Sequence, residues 1–218
     1  MITLYALRAD ALPSWGELLR ALRLDVGGKR AAWERMPEGQ AAQSIAGILL
    51  LQAAMLEHGM NPADRRIASD SRGRPCLTGA PDVDFNITHT GGPVVCAWEQ
   101  AAGGPRVGVD AECMGTRSPS VMHQIAARWF TPGEREAFAQ EPTEVCFLRI
   151  WTGKEAIVKW TGEGLAASRA ADTLADPPLP DARLRAYVLP RAVVTLCHRA
   201  GSLPPHAPRF LTPANLGC

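Results

Sequence analysis

The feature that most constrains the fold of this 218-residue chain is a break near its middle, Ala101-Ala102-Gly103-Gly104-Pro105. Successive glycines and a proline interrupt regular structure, and apolar, β-rich stretches lie on both sides of them. A chain of this length can form two small packed units. We therefore predict an N-terminal half-domain of residues 1–103 and a C-terminal half-domain of residues 104–218.

The first half combines a long helix with short strands. Gln40 to Glu57 has apolar residues at helical spacing and strong helix formers throughout. Val83 to Ile87 and Val94 to Trp98 flank a glycine-containing turn, as in a hairpin. Arg106 to Ala111 follows as another strand, so we expect three consecutive strands in a small antiparallel sheet.

The second half repeats this mixture. Val121 to Phe130 and Thr143 to Trp160 are predicted helices, and Ala170 to Pro180 is a predicted loop rich in proline. Leu184 to Leu189 and Ala192 to His198 form a predicted closing hairpin. The fold class is therefore α/β, of the α+β kind.

Composition and charge narrow the possible functions. Hydrophobic residues make up 46% of the chain and charged residues 21%, as in ordinary folded proteins. The net charge of +1 favours neither nucleic acid nor an anionic membrane as a partner, and neither is expected. The six scattered cysteines lack metal-ligand spacing and are expected to be reduced. With no pattern of a secretion signal or membrane span, a cytoplasmic location is expected.

The most informative local pattern is Val107-Gly108-Val109-Asp110-Ala111-Glu112. Residues two apart on a strand lie on the same face, so Asp110 and Glu112 point together. Two adjacent carboxylates repel unless a cation or proton separates them, and Mg²⁺ takes carboxylates together with phosphate oxygens. The pattern indicates a phosphate-handling metal site; two surface acids on a strand entering solvent are the alternative.

A second pattern lies on the last predicted helix. Trp151, Glu155 and Lys159 share a face at a spacing of four residues. Glu155 could supply a third carboxylate, and Lys154 and Lys159 could neutralise phosphate oxygens during transfer. An exposed ion pair between Glu155 and Lys159 is the alternative interpretation.

A third pattern, Phe85-Asn86-Ile87-Thr88-His89-Thr90, ends a predicted strand with three hydrogen-bonding side chains. His89 could donate to a phosphate oxygen or be satisfied by backbone groups. Gly73-Arg74-Pro75 has the composition of a turn, and Phe130 to Glu134 that of a helix start capped by Thr131.

Taken together and in order, these segments resemble the Sfp-type 4′-phosphopantetheinyl transferases over roughly the middle half of the chain. The most specific element is Trp151 to Leu165, which meets the family pattern W-[ST]-x-K-E-[AS]-x-x-K-x-x-G-x-G-L throughout. The resemblance implies a pseudo-twofold arrangement of two similar α/β half-domains. It also implies coenzyme A as substrate in the cleft between them and an acyl or peptidyl carrier protein docking across the mouth.

The resemblance further implies Mg²⁺ on the coenzyme A pyrophosphate, coordinated by Asp110, Glu112 and Glu155. Most of the metal site would thus belong to the C-terminal half. Glu155 would be the base for the carrier serine, and Lys159 would contact the phosphates with Lys154 as a neighbouring support. The serine oxygen would attack the β-phosphorus, with 3′,5′-ADP leaving.

Other residues are implied to bind coenzyme A. Thr88 and His89 would contact its phosphates, and Arg74 with Pro75 would lie near its adenine end. Glu134 matches a family acid without a fixed role. Gln43 stands where the family usually has an arginine for the 3′-phosphate, and glutamine brings no charge.

Two rival functions remain open. A Mg²⁺-dependent nuclease also uses carboxylates on a strand followed by a Glu/Lys element, but its lysine ordinarily lies on a strand. A non-catalytic module that binds coenzyme A or a carrier protein is the other, and Gln43 is the hint for it. A monomer is expected, because the two halves complete the site; the carrier and its pathway, in fatty acid, polyketide or nonribosomal peptide synthesis, are left open.

Overall fold

Each half of the protein places a long helix against a sheet whose strands are mainly antiparallel. The computed structural model describes residues 1–104, 106–164 and 168–218. In that part of the chain the helices are α1 (Trp15–Ala21), α2 (Lys29–Trp33), α3 (Glu38–Glu57), α4 (Pro119–Trp129), α5 (Pro132–Gln140) and α6 (Glu144–Thr161). The strands are β1 (Ile2–Arg8), β2 (Ile67–Ser69), β3 (Pro75–Leu77), β4 (Val83–Thr88), β5 (Pro93–Gln100), β6 (Val107–Cys113), β7 (Ala182–Leu189), β8 (Ala192–Arg199) and β9 (Arg209–Phe210).

The first sheet has the order β4-β5-β1-β9, and α3 packs against one face of it. Val83, Phe85 and Ile87 alternate along β4 and point into this first core. By length and composition α3 could cross a membrane, but its apolar side chains form the centre of the first core. Such burial is what the core helix of a folded domain requires.

The second sheet has the order β6-β8-β7 and is covered by α6. Val107, Val109 and Ala111 point away from α6 and pack against apolar side chains of β1 and β5. The two sheets therefore share a core, with β6 next to the first half of the chain.

The two halves have the same order of elements. β1, α3, β4 and β5 correspond to β6, α6, β7 and β8, and in each case the second hairpin strand pairs antiparallel with the first strand of the half. The mixed α/β fold is thus confirmed. Two similar half-domains would have such a common topology. Residues 209–216 return to the first half, where β9 pairs in parallel with β1.

One expectation was wrong. β6 does not extend the sheet of β4 and β5 but pairs with β8. β5 already has β4 on one edge and β1 on the other, and the outer edge of β4 meets β6 through the Asp84 and Asn86 side chains instead of backbone hydrogen bonds. The unpredicted β1 occupies the second edge of β5.

The predicted helix ends are largely confirmed. Thr131 caps α5 in a reciprocal capping box with Glu134, and Thr143 caps α6. Gly162, at φ +74°, ends α6 in the left-handed conformation that favours glycine. Pro105 of the central break and Leu165 of the family pattern lie outside the described residues.

Candidate active site

A cavity of about 410 Å³ opens where the ends of β4 and β6 meet the side of α6. Six of the ten residues singled out from the sequence line it: Thr88, His89, Asp110, Glu112, Glu155 and Lys159. The other four, Arg74, Pro75, Gln43 and Lys154, do not.

A close approach between β6 and α6 builds this cavity. A Cβ atom on Gly108 would lie 2.2 Å from the carbonyl oxygen of Ala156 and 2.6 Å from the amide nitrogen of Trp160. Only glycine leaves room for the helix backbone there. The contact brings Lys159 of α6 beside Asp110, two residues further along β6.

Asp110 is the most deeply placed acid of the cavity. Its Oδ1 accepts hydrogen bonds from Lys159 Nζ at 2.8 Å and from the Thr88 hydroxyl at 3.1 Å. Its Oδ2 is buried and accepts no hydrogen bond from any described residue. Burial raises the pKa of Asp110, although Lys159 opposes the shift. A buried carboxylate oxygen without a donor is a ready ligand for a cation.

Glu112 faces the same cavity but is held by an arginine. Arg117 donates to both carboxylate oxygens, at 2.7 and 3.2 Å. This two-bond geometry is the strong form of a guanidinium–carboxylate pair. Arg117 therefore occupies the carboxylate oxygens that a metal bound to Glu112 would need.

Glu155 lies one turn before Lys159 on α6 and is half-buried. Its carboxylate makes no hydrogen bond or ion pair with another residue of the described chain. Burial raises its pKa, and the charge of Asp110 adds to the shift. A raised pKa suits a carboxylate that must accept a proton near neutral pH.

The chemistry of this donor set fits Mg²⁺, which prefers carboxylate oxygens. The free Oδ2 of Asp110 and the unpaired Glu155 carboxylate point to the same conclusion. Within residues 1–104, 106–164 and 168–218, however, no three His, Cys, Asp or Glu side chains are already grouped tightly enough to hold an ion. Asp110 can offer Oδ2 to a metal while Oδ1 keeps Lys159, whereas Glu112 would have to give up part of its pairing with Arg117.

His89 and Thr88 form the β4 side of the cavity. Burial lowers the pKa of His89, with Lys159 adding to the shift, so the neutral imidazole is favoured. The Thr88 hydroxyl is committed to Asp110. Thr88 therefore orients an acid, while His89 keeps a polar edge toward the cavity.

Lys154 requires a correction. Its side chain is fully buried, and Nζ lies 2.8 Å from the Glu134 carboxylate. The same ammonium donates to the carbonyl oxygens of Ser168 and Ala171. Lys154 cannot neutralise substrate phosphates from this position; it stabilises the fold. Glu134, for which sequence reasoning fixed no role, is its partner.

Arg74 also differs from expectation. Its guanidinium points inward, 2.6 Å from Asp84, and donates to the carbonyl oxygens of Val107 and Lys159. Arg74 and Pro75 line a separate cavity of about 100 Å³. In this arrangement the charge of Arg74 joins the two halves and is not free for a ligand.

Gln43 lies on α3, and its Oε1 accepts a hydrogen bond from the Gly91 amide at 3.1 Å. It therefore supports the turn between β4 and β5, which carries Thr90 at the cavity edge. An arginine side chain, having no acceptor, could not make this bond.

Four lining residues were not among the ten singled out from the sequence: Ile87, Thr90, Arg117 and Trp151. Trp151 shares the helical face of Glu155 and Lys159, and that spacing was the available signal. Arg117 lies in the turn after β6, five residues beyond Glu112, where no periodicity relates the two.

Comparison with known proteins gives a consistent result. A family model described as the 4′-phosphopantetheinyl transferase superfamily matches residues 106–203. A protein of Bacillus subtilis named 4′-phosphopantetheinyl transferase is 30% identical over 168 residues, 75% of this chain and 71% of that protein. The 4′-phosphopantetheinyl transferase Sfp of Bacillus subtilis strain 168 is 28% identical over 58% of this chain and 54% of its own length. The transferase HetI of a Nostoc species is 30% identical over 56% of this chain and 52% of its own length.

Proposed function

This chain belongs to the 4′-phosphopantetheinyl transferase family, and we propose that it transfers the phosphopantetheine group of coenzyme A to a serine of an acyl or peptidyl carrier protein. The observation that carries the proposal is the single cavity shared by Asp110, Glu112, Glu155 and Lys159. It groups acids that suit a metal with a lysine that suits phosphate, as the transfer requires.

We further propose Asp110, Glu112 and Glu155 as the residues that hold Mg²⁺. The free Oδ2 of Asp110 and the unpaired carboxylate of Glu155 support this choice. When bound, Mg²⁺ would neutralise charge on the pyrophosphate of coenzyme A.

Glu155 is the proposed base. Its carboxylate faces the cavity and is unpaired within the described chain, so it would take the proton from the carrier serine hydroxyl. The serine oxygen then forms a bond to the β-phosphorus, and the bond from that phosphorus to the bridging oxygen breaks. The leaving group is 3′,5′-ADP, and the proton remains on Glu155 until it exchanges with solvent.

Lys159 and His89 complete the proposed phosphate contacts. The Lys159 side chain is 27% exposed, and its ammonium can donate to a phosphate oxygen beside Asp110. His89 donates from its cavity edge, while Thr88 keeps Asp110 in place. For the adenine end we retain Pro75, which lines the second cavity, and Arg74 supports it from inside the protein.

The test is transfer of mass to a carrier. The protein would be incubated with coenzyme A, Mg²⁺ and a panel of apo carrier proteins, and intact carrier mass would be measured. We expect a phosphopantetheine-sized gain that falls by about 100-fold or more in Glu155→Gln. Glu136→Gln, which removes an exposed acid from α5, is the matched control and should retain transfer.

The rival function makes a different prediction. A non-catalytic module would bind coenzyme A in calorimetry yet add no mass to any carrier, and Gln43→Arg would then be the first variant to examine. We also propose that the protein acts as a monomer, because both sides of its cavity come from one chain. Sedimentation with and without coenzyme A checks whether the protein is a monomer. A cytoplasmic location is proposed from the sequence alone.

A further inference from the structure

On the edge of β6 that faces β4, backbone groups form hydrogen bonds with side chains instead of with the backbone of another strand. In the second sheet β6 has β8 on one edge only. Residues 107, 109 and 111 direct their backbone groups to the opposite edge, since these groups alternate along an antiparallel strand. An exposed row of this kind normally needs a partner strand or a cover.

β4 and the turn that follows it supply that cover with polar side chains at every second position. Asp84 Oδ2 accepts from the Val107 amide at 2.7 Å, and Asn86 Oδ1 accepts from the Val109 amide at 2.9 Å. Further along, the Thr90 hydroxyl donates to the Ala111 carbonyl at 2.6 Å. We call this set of contacts, with the Thr88–Asp110 bond between them, the seam.

The seam fixes which residue of β6 stands opposite which residue of β4. Because the contacts have a period of two on both strands, a slip by one residue would break all of them and turn Asp110 away from α6. Asn86 is the central member that bonds only to the β6 backbone. It touches neither the proposed metal ligands nor the cavity.

We propose that Asn86 is a positioning residue, which holds β6 in register through the Val109 amide and thereby places Asp110 and Glu112 at the site. The geometry carries this assignment: Val109 directly precedes Asp110, and its carbonyl accepts from Lys159 Nζ at 3.0 Å. Asn86 and Lys159 thus bind the two backbone groups of one residue. The proposal deepens the proposed function and rests on it where metal binding is concerned.

The experiment compares Asn86→Leu, which removes the acceptor at similar size, with Asn86→Asp, which keeps an acceptor oxygen at the same place. Leu18→Ala, in a buried position of α1, is the control for a loss of stability away from the seam. Hydrogen exchange of the Val109 amide is measured first, without metal or substrate. Mn²⁺ binding by calorimetry and the Mg²⁺ concentration for half-maximal transfer follow.

In Asn86→Leu we expect faster exchange at Val109 and weaker Mn²⁺ binding, on the order of 10-fold, as for other residues that orient metal ligands. In Asn86→Asp, Val109 exchange and Mn²⁺ binding should equal those of the wild type. Leu18→Ala should lower thermal stability without changing the exchange rate or the Mn²⁺ affinity. If Asn86→Leu does not fold, Asn86→Ala, which removes the same acceptor and leaves a smaller side chain, takes its place. It should show the same changes.

Two results would overturn the proposal. One is Mn²⁺ binding in Asn86→Leu, or in Asn86→Ala where that variant replaces it, that equals that of the wild type, whatever the exchange rate. The other is exchange of the Val109 amide in the Asn86 variant at the same rate as in the wild type. A wild-type protein that transfers nothing would instead refute the proposed function, and the exchange measurement would still decide whether Asn86 holds β6.

Discussion

The ammonium of Lys154 lies 2.8 Å from the carboxylate of Glu134 in an ion pair whose side chains are both fully buried. Glu134 also accepts from the Thr131 amide and from the amide and hydroxyl of Thr173. The pair therefore joins α5 and α6 to the chain that follows α6.

Lys154→Met should destabilise the protein by about 3–5 kcal/mol, because it leaves the Glu134 charge buried and unpaired. Removing both charges in Lys154→Met/Glu134→Leu should recover much of this loss. Urea denaturation measures both effects. The folded double variant should still transfer phosphopantetheine; complete loss of transfer would mean that Lys154 contacts substrate after all.

Arg117→Ala should tighten the binding of Mg²⁺. Arg117 holds both oxygens of Glu112, and a metal must compete with this pair, which is largely shielded from solvent. Taking about 1 kcal/mol for the pair, we expect a fivefold lower Mg²⁺ concentration for half-saturation in calorimetry. Arg149→Ala removes the same charge from an exposed position of α6 and should change nothing. Weaker Mg²⁺ binding would mean that Arg117 helps to build the metal site.

Gly108→Ala should cost at least about 1–3 kcal/mol, because the added methyl group meets the backbone of α6, which cannot move away alone. Transfer should fall as well, since Lys159 and Glu155 would be displaced from Asp110. The matched change Gly39→Ala, near the start of α3, meets no atom within 4 Å. It should be neutral or stabilising by up to about 1 kcal/mol. Thermal unfolding of both variants checks the contrast, and equal stability would contradict the close approach.

His198 should make the fold sensitive to acid. Burial lowers its pKa; Arg183 and Arg185 add to the shift, whereas the Arg199 carbonyl and Glu99 oppose it. The folded protein thus binds the proton less tightly than the unfolded chain, whose pKa is about 6.5. The contribution of His198 to stability is fully present above that value and is lost as pH falls through the folded-state pKa.

The matching variant is His198→Gln, which cannot titrate in this range. Its urea midpoint should fall less than that of the wild type between pH 7.5 and pH 5. Parallel curves would show that other groups cause the acid sensitivity.

Local patterns were sufficient to predict most of the elements around the site. Helical spacing indicated α3 and α6, and β-forming residues around turns indicated β4, β5 and the closing hairpin. β1 was missed because Ile2, Leu4 and Ala6 enter the core between the sheets while Tyr5 and Leu7 enter the first core. A strand buried on both faces shows no alternation of apolar and polar residues. Which strands pair is a property of the whole topology, and this is why β6 was misplaced.

The site was predictable where residues share an element. A spacing of four residues placed Trp151, Glu155 and Lys159 on one face of α6, and all three line the cavity. The same geometry explains the error over Lys154. It neighbours Glu155 in sequence but points about 100° away around the helix, into the core. The inward turn of Arg74 depends on contacts with β6 and α6, far away in sequence, which no local pattern reports.

The parallel pairing of β9 with β1 bears on the order in which the protein can fold during its synthesis. β1 leaves the ribosome about 200 residues before β9 and Leu216, which joins the first core. In many proteins an N-terminal unit folds before the next unit is made. The complete first sheet cannot follow this order. Its last strand can be added only after α6 and the second sheet have been synthesised.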